Sequence, residues 1–258
     1  MKVTFLGCGA SAGVPHLIKG WGECDNKEHK NRRTRSSILV QESNINILID
    51  ASPDLRSQIL SLPNVPVLDA ILITHNHFDH TAGLGELRTL LYNKEEKTCL
   101  YGNPETIEQL EASHRYLFYN DTDDLLYKPV LKSEKVTDRF CIQKNHQSLW
   151  VVPLLLDHAY MQSLGYRIND MAYVTDAKDI HENTKALLHN LDVLIIDCTS
   201  TKPKKAHAHL DLVISWVEEL KPKRTYLTHM DYTMDYHTLT NVLPKNVEPA
   251  FDGLEVLC

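Results

Sequence analysis

Ala70-Ile71-Leu72-Ile73-Thr74-His75-Asn76-His77-Phe78-Asp79-His80 decides the reading of this chain. Its first four residues form an unbroken apolar run, the signature of a strand buried on both faces. The next seven place three imidazoles and one carboxylate within six positions. Imidazole and carboxylate together suit zinc, manganese or iron, and this set exceeds what one ion needs. With 14 histidines in 258 residues, a lone His-x-His pair would signify little. The complete H-x-H-x-D-H at the end of a buried strand predicts a metal site.

Outward from this stretch, apolar or β-branched runs recur at 3–6, 37–40, 45–49, 150–156, 172–174, 193–196 and 225–227, each reading as a strand. Helical periodicity appears at 104–113, 183–190 and 209–220. Buried strands with interspersed helices predict a layered α/β architecture in one domain, 1–258. The polar, aromatic segment 116–148 is expected to be a strand-rich insertion near the active site, the alternative being a long surface excursion. Polar groups gather at strand ends: Asp50, His75 to His80, His158, Asp176, Asp197 and His229. Strand ends along one sheet edge bring residues distant in sequence into one crevice.

The composition is that of an ordinary globular chain, 43% hydrophobic and 24% charged. A net charge of −7 argues against a broad basic face for nucleic acid. No apolar run approaches the roughly 20 residues needed to span a bilayer. The N-terminus reads as a strand and lacks a signal peptide's longer apolar region, so the expected compartment is the cytoplasm. Cys8, Cys24, Cys99, Cys141, Cys198 and Cys258 contain no C-x-x-C and fit free thiols better than a disulfide framework.

The order Asp50, H-x-H-x-D-H, His158, Asp176, His229 resembles the metallo-β-lactamase superfamily, from Phe5-Leu6-Gly7 to Phe251-Asp252-Gly253. Within it the chain is similar to the PhnP-type phosphodiesterases, which open cyclic phosphate esters. The finer matches are Gly13-Val14-Pro15, Arg32-Arg33, His209-Leu210-Asp211-Leu212 and Leu227-Thr228-His229. The resemblance implies an αββα sandwich of two mixed sheets with helices outside. It implies that His75, His77 and His158 hold one divalent ion, that Asp79, His80 and His229 hold a second, and that Asp176 bridges them. Zinc or manganese would fill the sites, with iron a further option. Two such cations activate a shared water and clamp a phosphoryl group for in-line attack. Asp50 would orient a ligand imidazole or hydrogen-bond the metal-bound water.

His209 would be the general acid, giving a proton to the departing alkoxide; His207 is the rival on the same loop, and helix capping is the plain alternative. Lys204 and Lys205 could contact phosphate, although adjacent lysines are usually solvated. Arg32, Arg33 and Arg35 form a second cationic cluster, read as solvated or paired with carboxylates rather than gripping phosphate. PhnP-type proteins also carry a structural zinc on three cysteines and a histidine. Here only Cys24 survives, with His29 nearby, and Tyr232 stands where the histidine would be, so that site is expected to be absent.

The expected function is therefore a phosphodiesterase on a small cyclic or diester phosphate, of the 5-phosphoribosyl 1,2-cyclic phosphate type. The alternatives are RNA processing of the tRNase Z kind, a glyoxalase II-like thioesterase, and a non-hydrolytic PqqB-like accessory protein. The expected partner is a small phosphate ester, with neither membrane nor nucleic acid; a homodimer is expected on base rates alone.

Overall fold

The structure, a computed structural model, describes residues 1–120 and 128–258. Residues 121–127 of the 116–148 segment lie outside the described residues.

The apolar runs become strands because their alternate residues face two different cores. The early strands are β1 (Lys2–Gly7), β2 (Ser37–Glu42), β3 (Ile45–Ile49), β4 (Ala70–Leu72), β5 (Thr98–Gly102) and β6 (Leu131–Lys135). The later ones are β7 (Phe140–Lys144), β8 (Gln147–His158), β9 (Met161–Ile168), β10 (Met171–Val174), β11 (Val193–Asp197), β12 (Arg224–Thr228), β13 (Val247–Pro249) and β14 (Glu255–Leu257). They form two seven-stranded mixed sheets, ordered β14-β1-β2-β3-β4-β5-β6 and β13-β12-β11-β10-β9-β8-β7. Ile47, Ile49, Ala70 and Leu72 face the core between the sheets, with Val174 and Ile195 of the other sheet in the same cluster. Leu48 and Ile71 face the opposite way, packing with Leu55, Leu87, Ile107 and Leu110. A period of two with both phases apolar is what a strand buried on both faces requires.

The outer layer on the first sheet is supplied by α1 (Leu55–Leu60), α2 (Phe78–Thr81), α3 (Glu86–Leu91), α4 (Pro104–Ser113) and α5 (Arg115–Phe118). After the second sheet begins come α6 (Glu182–Ala186), α7 (Leu210–Leu220) and α8 (Tyr236–Val242). In α7, Val213, Trp216, Val217 and Leu220 are buried at i, i+3, i+4 and i+7, one helical stripe. The helix expected over 183–190 is shorter. It is α6, ending at Ala186, and the Leu187 and His189 carbonyls beyond it accept from the Arg167 guanidinium at 2.6 and 3.1 Å. The segment 116–148 contributes β6 and β7, the outer strands of the two sheets, so the chain passes from one sheet to the other within it. Its polar composition reflects those edge positions.

No helix among the described residues is long and apolar enough to cross a membrane. All six cysteines are free thiols.

Candidate metal centre

β3 pairs parallel with β4, and β10, β11 and β12 pair parallel in sequence. β8 and β10 both run antiparallel to β9 and so share a direction. Their C-terminal ends therefore deliver Asp50, residues 75–80, His158, Asp176, Asp197 and His229 to one crevice. Asp50, Asp176 and His229 have positive φ, 64°, 53° and 54°. Non-glycine residues held there at a strand end turn the chain sharply, a strain that clusters at functional sites.

Three nitrogens form the first group. His75 Nε2 lies 2.9 Å from His77 Nδ1, and His158 Nε2 lies 3.3 Å from that same atom. His158 Nδ1 donates to the Ala206 carbonyl at 2.9 Å, which leaves Nε2 free to face the group. The second group is Asp79, His80 and His229. Asp79 Oδ2 lies 3.2 Å from His80 Nε2 and 3.3 Å from His229 Nε2. Asp176 spans both groups. Its Oδ2 lies 3.0 Å from His80 Nε2 and 3.5 Å from His229 Nε2, while Oδ1 lies 3.6 Å from His158 Nε2.

Buried polar partners fix the ligands from behind. His80 Nδ1 donates to Asp50 Oδ2 at 2.7 Å, and Asp50 Oδ1 accepts the Thr74 backbone N–H at 2.9 Å. His229 Nδ1 lies 3.2 Å from the Thr199 hydroxyl, which donates to Asp197 Oδ1 at 2.8 Å. Such backing sets the tautomer and the direction of each ring.

The electrostatics separate the two groups. Burial holds His75 and His158 below the ordinary imidazole range, so both are neutral acceptors. Burial also opposes protonation of His80, but Asp176, Asp50 and Asp79 outweigh it and carry that ring well above its usual value. Burial is overcome in the same way at His229, where Asp176, Asp79 and Asp197 bring it up to about 9. Asp176 and Asp79 are held low despite burial by the facing imidazoles. Burial raises Asp50, with His80 pulling back. The carboxylates thus create a buried field that demands positive charge. His80 Nε2 is fully buried and faces the Asp176 and Asp79 carboxylates without a well-aligned hydrogen bond. Nitrogen and oxygen donors converging in this way fit divalent cations.

All seven expected ligands and Asp50 converge in this cluster. His209 does not enter it: it stands before α7 as the N-cap residue, half-buried, and makes no side-chain cap bond. His207 does. Its Nδ1 lies 3.1 Å from Asp197 Oδ2 and 3.5 Å from Asp176 Oδ1, and its side chain is 20% exposed. Its ring centroid lies 4.9 Å from those of His158 and His229. In the sequence Asp197 stands out only as a strand-end carboxylate; its place as the last residue of β11, after an apolar run, was the available signal.

The arginines divide. Arg35 pairs with Asp54 at 3.0 Å, and Arg32 lies over the Trp21 ring at 5.1 Å. Arg33 is only 2% exposed and has no carboxylate partner among the described residues. It donates to the carbonyls of Met234 and Asp231 at 2.6 and 3.4 Å and to Asn31 Oδ1 at 3.2 Å, tying the N-terminal loop to the segment after His229. Cys24 Sγ lies 3.9 Å from the same guanidinium and 3.5 Å from the Tyr232 carbonyl. His29 is instead beside Glu28 at 3.2 Å. Arg33→Ala strands these carbonyls and opens a void. We expect about 3 kcal/mol of lost stability, measured as a lower urea midpoint; an unchanged midpoint would refute the clamp.

The chain belongs to the beta-lactamase superfamily, whose domain model matches residues 45–230. Its relatives differ in name. It is 31% identical over 264 residues to a Porphyromonas gingivalis protein named octanoyltransferase, covering 100% of this chain and 51% of that one. The chain thus spans about half the length of that relative. It is 32% identical over 311 aligned positions to coenzyme PQQ synthesis protein B of Xanthomonas campestris, covering 99% of each. Among solved structures, a diphosphatase from the PhnP family superposes with a TM-score of 0.89 at 30% identity, covering 100% of this chain and 97% of that one.

Proposed function

We propose that this protein is a dinuclear metal-dependent phosphodiesterase acting on a small cyclic or diester phosphate. One observation carries the reading: Asp176 faces both ligand groups, with the His207–Asp197 pair beside it. The likeness to the PhnP-family diphosphatase supports phosphoryl chemistry.

His75, His77 and His158 would hold one ion and Asp79, His80 and His229 the other, with Asp176 shared. Divalent ions there supply Lewis acidity toward phosphoryl oxygens and an acidified water. The remaining work belongs to the chain's own residues. Asp50 and Thr74 fix His80, Thr199 and Asp197 fix His229, and the Ala206 carbonyl fixes His158. Asp197 accepts from His207 Nδ1 and would steady the imidazolium form of that ring, whose remaining proton, on Nε2, would pass to the leaving alkoxide and leave the neutral imidazole.

Metal analysis after purification without chelators is expected to give about two divalent ions per chain. A chain that takes up none after zinc or manganese reconstitution contradicts the site assignment. Loaded protein should then meet a panel: a model phosphodiester, cyclic ribose phosphates, cyclic nucleotides, a pre-tRNA and an acyl thioester. A second reading, thioester hydrolysis, is favoured by the octanoyltransferase name of the Porphyromonas relative. Turnover of an octanoyl thioester with none of the phosphodiesters would replace the first reading by the second.

A further inference from the structure

We infer that an apolar subsite adjoins the metal centre and takes an aliphatic chain of the substrate; the phosphate identity of the headgroup rests on the reading above. A cleft of about 590 Å³ opens between the first turn of α4, the β6–β7 connection and the β8–β9 hairpin. Small-molecule sites typically run from roughly 300 to 1,000 Å³ and are mostly apolar. Pro104, Val136, Pro153, Leu155, Met161 and Leu164 supply this lining. Leu155 and Leu164 are directly paired across the hairpin. Leu155 nevertheless keeps 42% of its surface exposed, an apolar side chain held open to the cleft.

The walls of the cleft are tied to the loop that carries the candidate ligands. The Leu164 N–H donates to the Thr74 carbonyl at 2.9 Å, tying that loop to one wall. Asn76 Nδ2 donates to Gln109 Oε1 of α4 at 2.8 Å, tying it to the other. Met161 is the strand partner of His158. Thr74 and His158 thus adjoin two lining residues, Leu164 and Met161, and a headgroup held by His77 and His158 would lie beside the cleft. The lining also decides the occupant. Among its described residues there is no aromatic ring to stack a base and no cation to hold a second phosphate. Its one charged side chain, Glu105, would repel an anion.

Calorimetry of n-alkylphosphonates, methyl to octyl, on the zinc-loaded protein tests this. The dissociation constant should fall about two- to fourfold per methylene. In Leu155→Asp the dependence on chain length should vanish; Leu155 is half-exposed, so the variant can fold. A flat series in the wild type, or an undiminished slope in Leu155→Asp, overturns the subsite. So does a nucleoside phosphonate whose affinity depends on Leu155 while the alkyl series does not. A steep, Leu155-dependent series without phosphodiester turnover sinks only the phosphodiesterase reading. Turnover with a flat series sinks only the subsite.

Discussion

Asp176→Asn is expected to lower metal content from about two ions per chain to one or fewer and turnover by roughly 10³-fold or more, about 4 kcal/mol of transition-state stabilisation. The two oxygens of Asp176 face different imidazole sets, His158 on one side and His80 with His229 on the other. Asparagine keeps the shape and removes the charge that both sets share. It also leaves the first group with no carboxylate, since Asp79 belongs to the second. Asp50→Asn is a useful contrast. Asp50 touches His80 Nδ1 rather than the converging face, so the expected loss is about 10- to 100-fold in metal affinity. Metal analysis and turnover on the same preparations separate the two cases. Two retained ions in Asp176→Asn, with turnover within about tenfold of wild type, would remove the bridging assignment.

His207→Ala should keep both ions yet lose roughly 10²–10⁴-fold in turnover of a diester with a poor leaving group. An activated leaving group such as 4-nitrophenolate needs little protonation and should recover most of that loss. His209→Ala should change turnover only a few-fold, because its side chain caps nothing and lies outside the cluster. The inverse pattern, with a leaving-group-dependent loss at His209 and none at His207, would assign the acid to the N-cap residue. Asp197→Asn should resemble His207→Ala in its leaving-group dependence, since Asp197 Oδ2 orients that ring at 3.1 Å.

The candidate ligand cluster was legible because its members stand at or shortly after the C-terminal ends of strands, β4 in one sheet and β8, β10 and β12 in the other, although Asp79 and His80 lie on α2. The layered sandwich was legible for a related reason. Runs such as Ile45 to Ile49 are apolar in both phases of the strand period, which only a sheet covered on both faces tolerates. The strands of 116–148 were harder to place. β7 is an edge strand with only Ile142 buried, and an edge strand needs little apolar pattern.

The sequence by itself determined which candidate donors, imidazoles and carboxylates, follow the strands, and the alternation of strands and helices, because these depend on residue type and short-range period. Only the tertiary structure separates the surroundings of His207, which contacts Asp197 and Asp176, from those of His209, the N-cap residue of α7. Both are imidazoles on one loop, two residues apart, and nothing local distinguishes them. The difference comes from long-range contacts: His158 captures the Ala206 carbonyl, and Asp197 captures the His207 ring. Arg33 obeys the same logic. Beside two other arginines it reads as surface charge, yet the carbonyls that bury it lie about two hundred residues away.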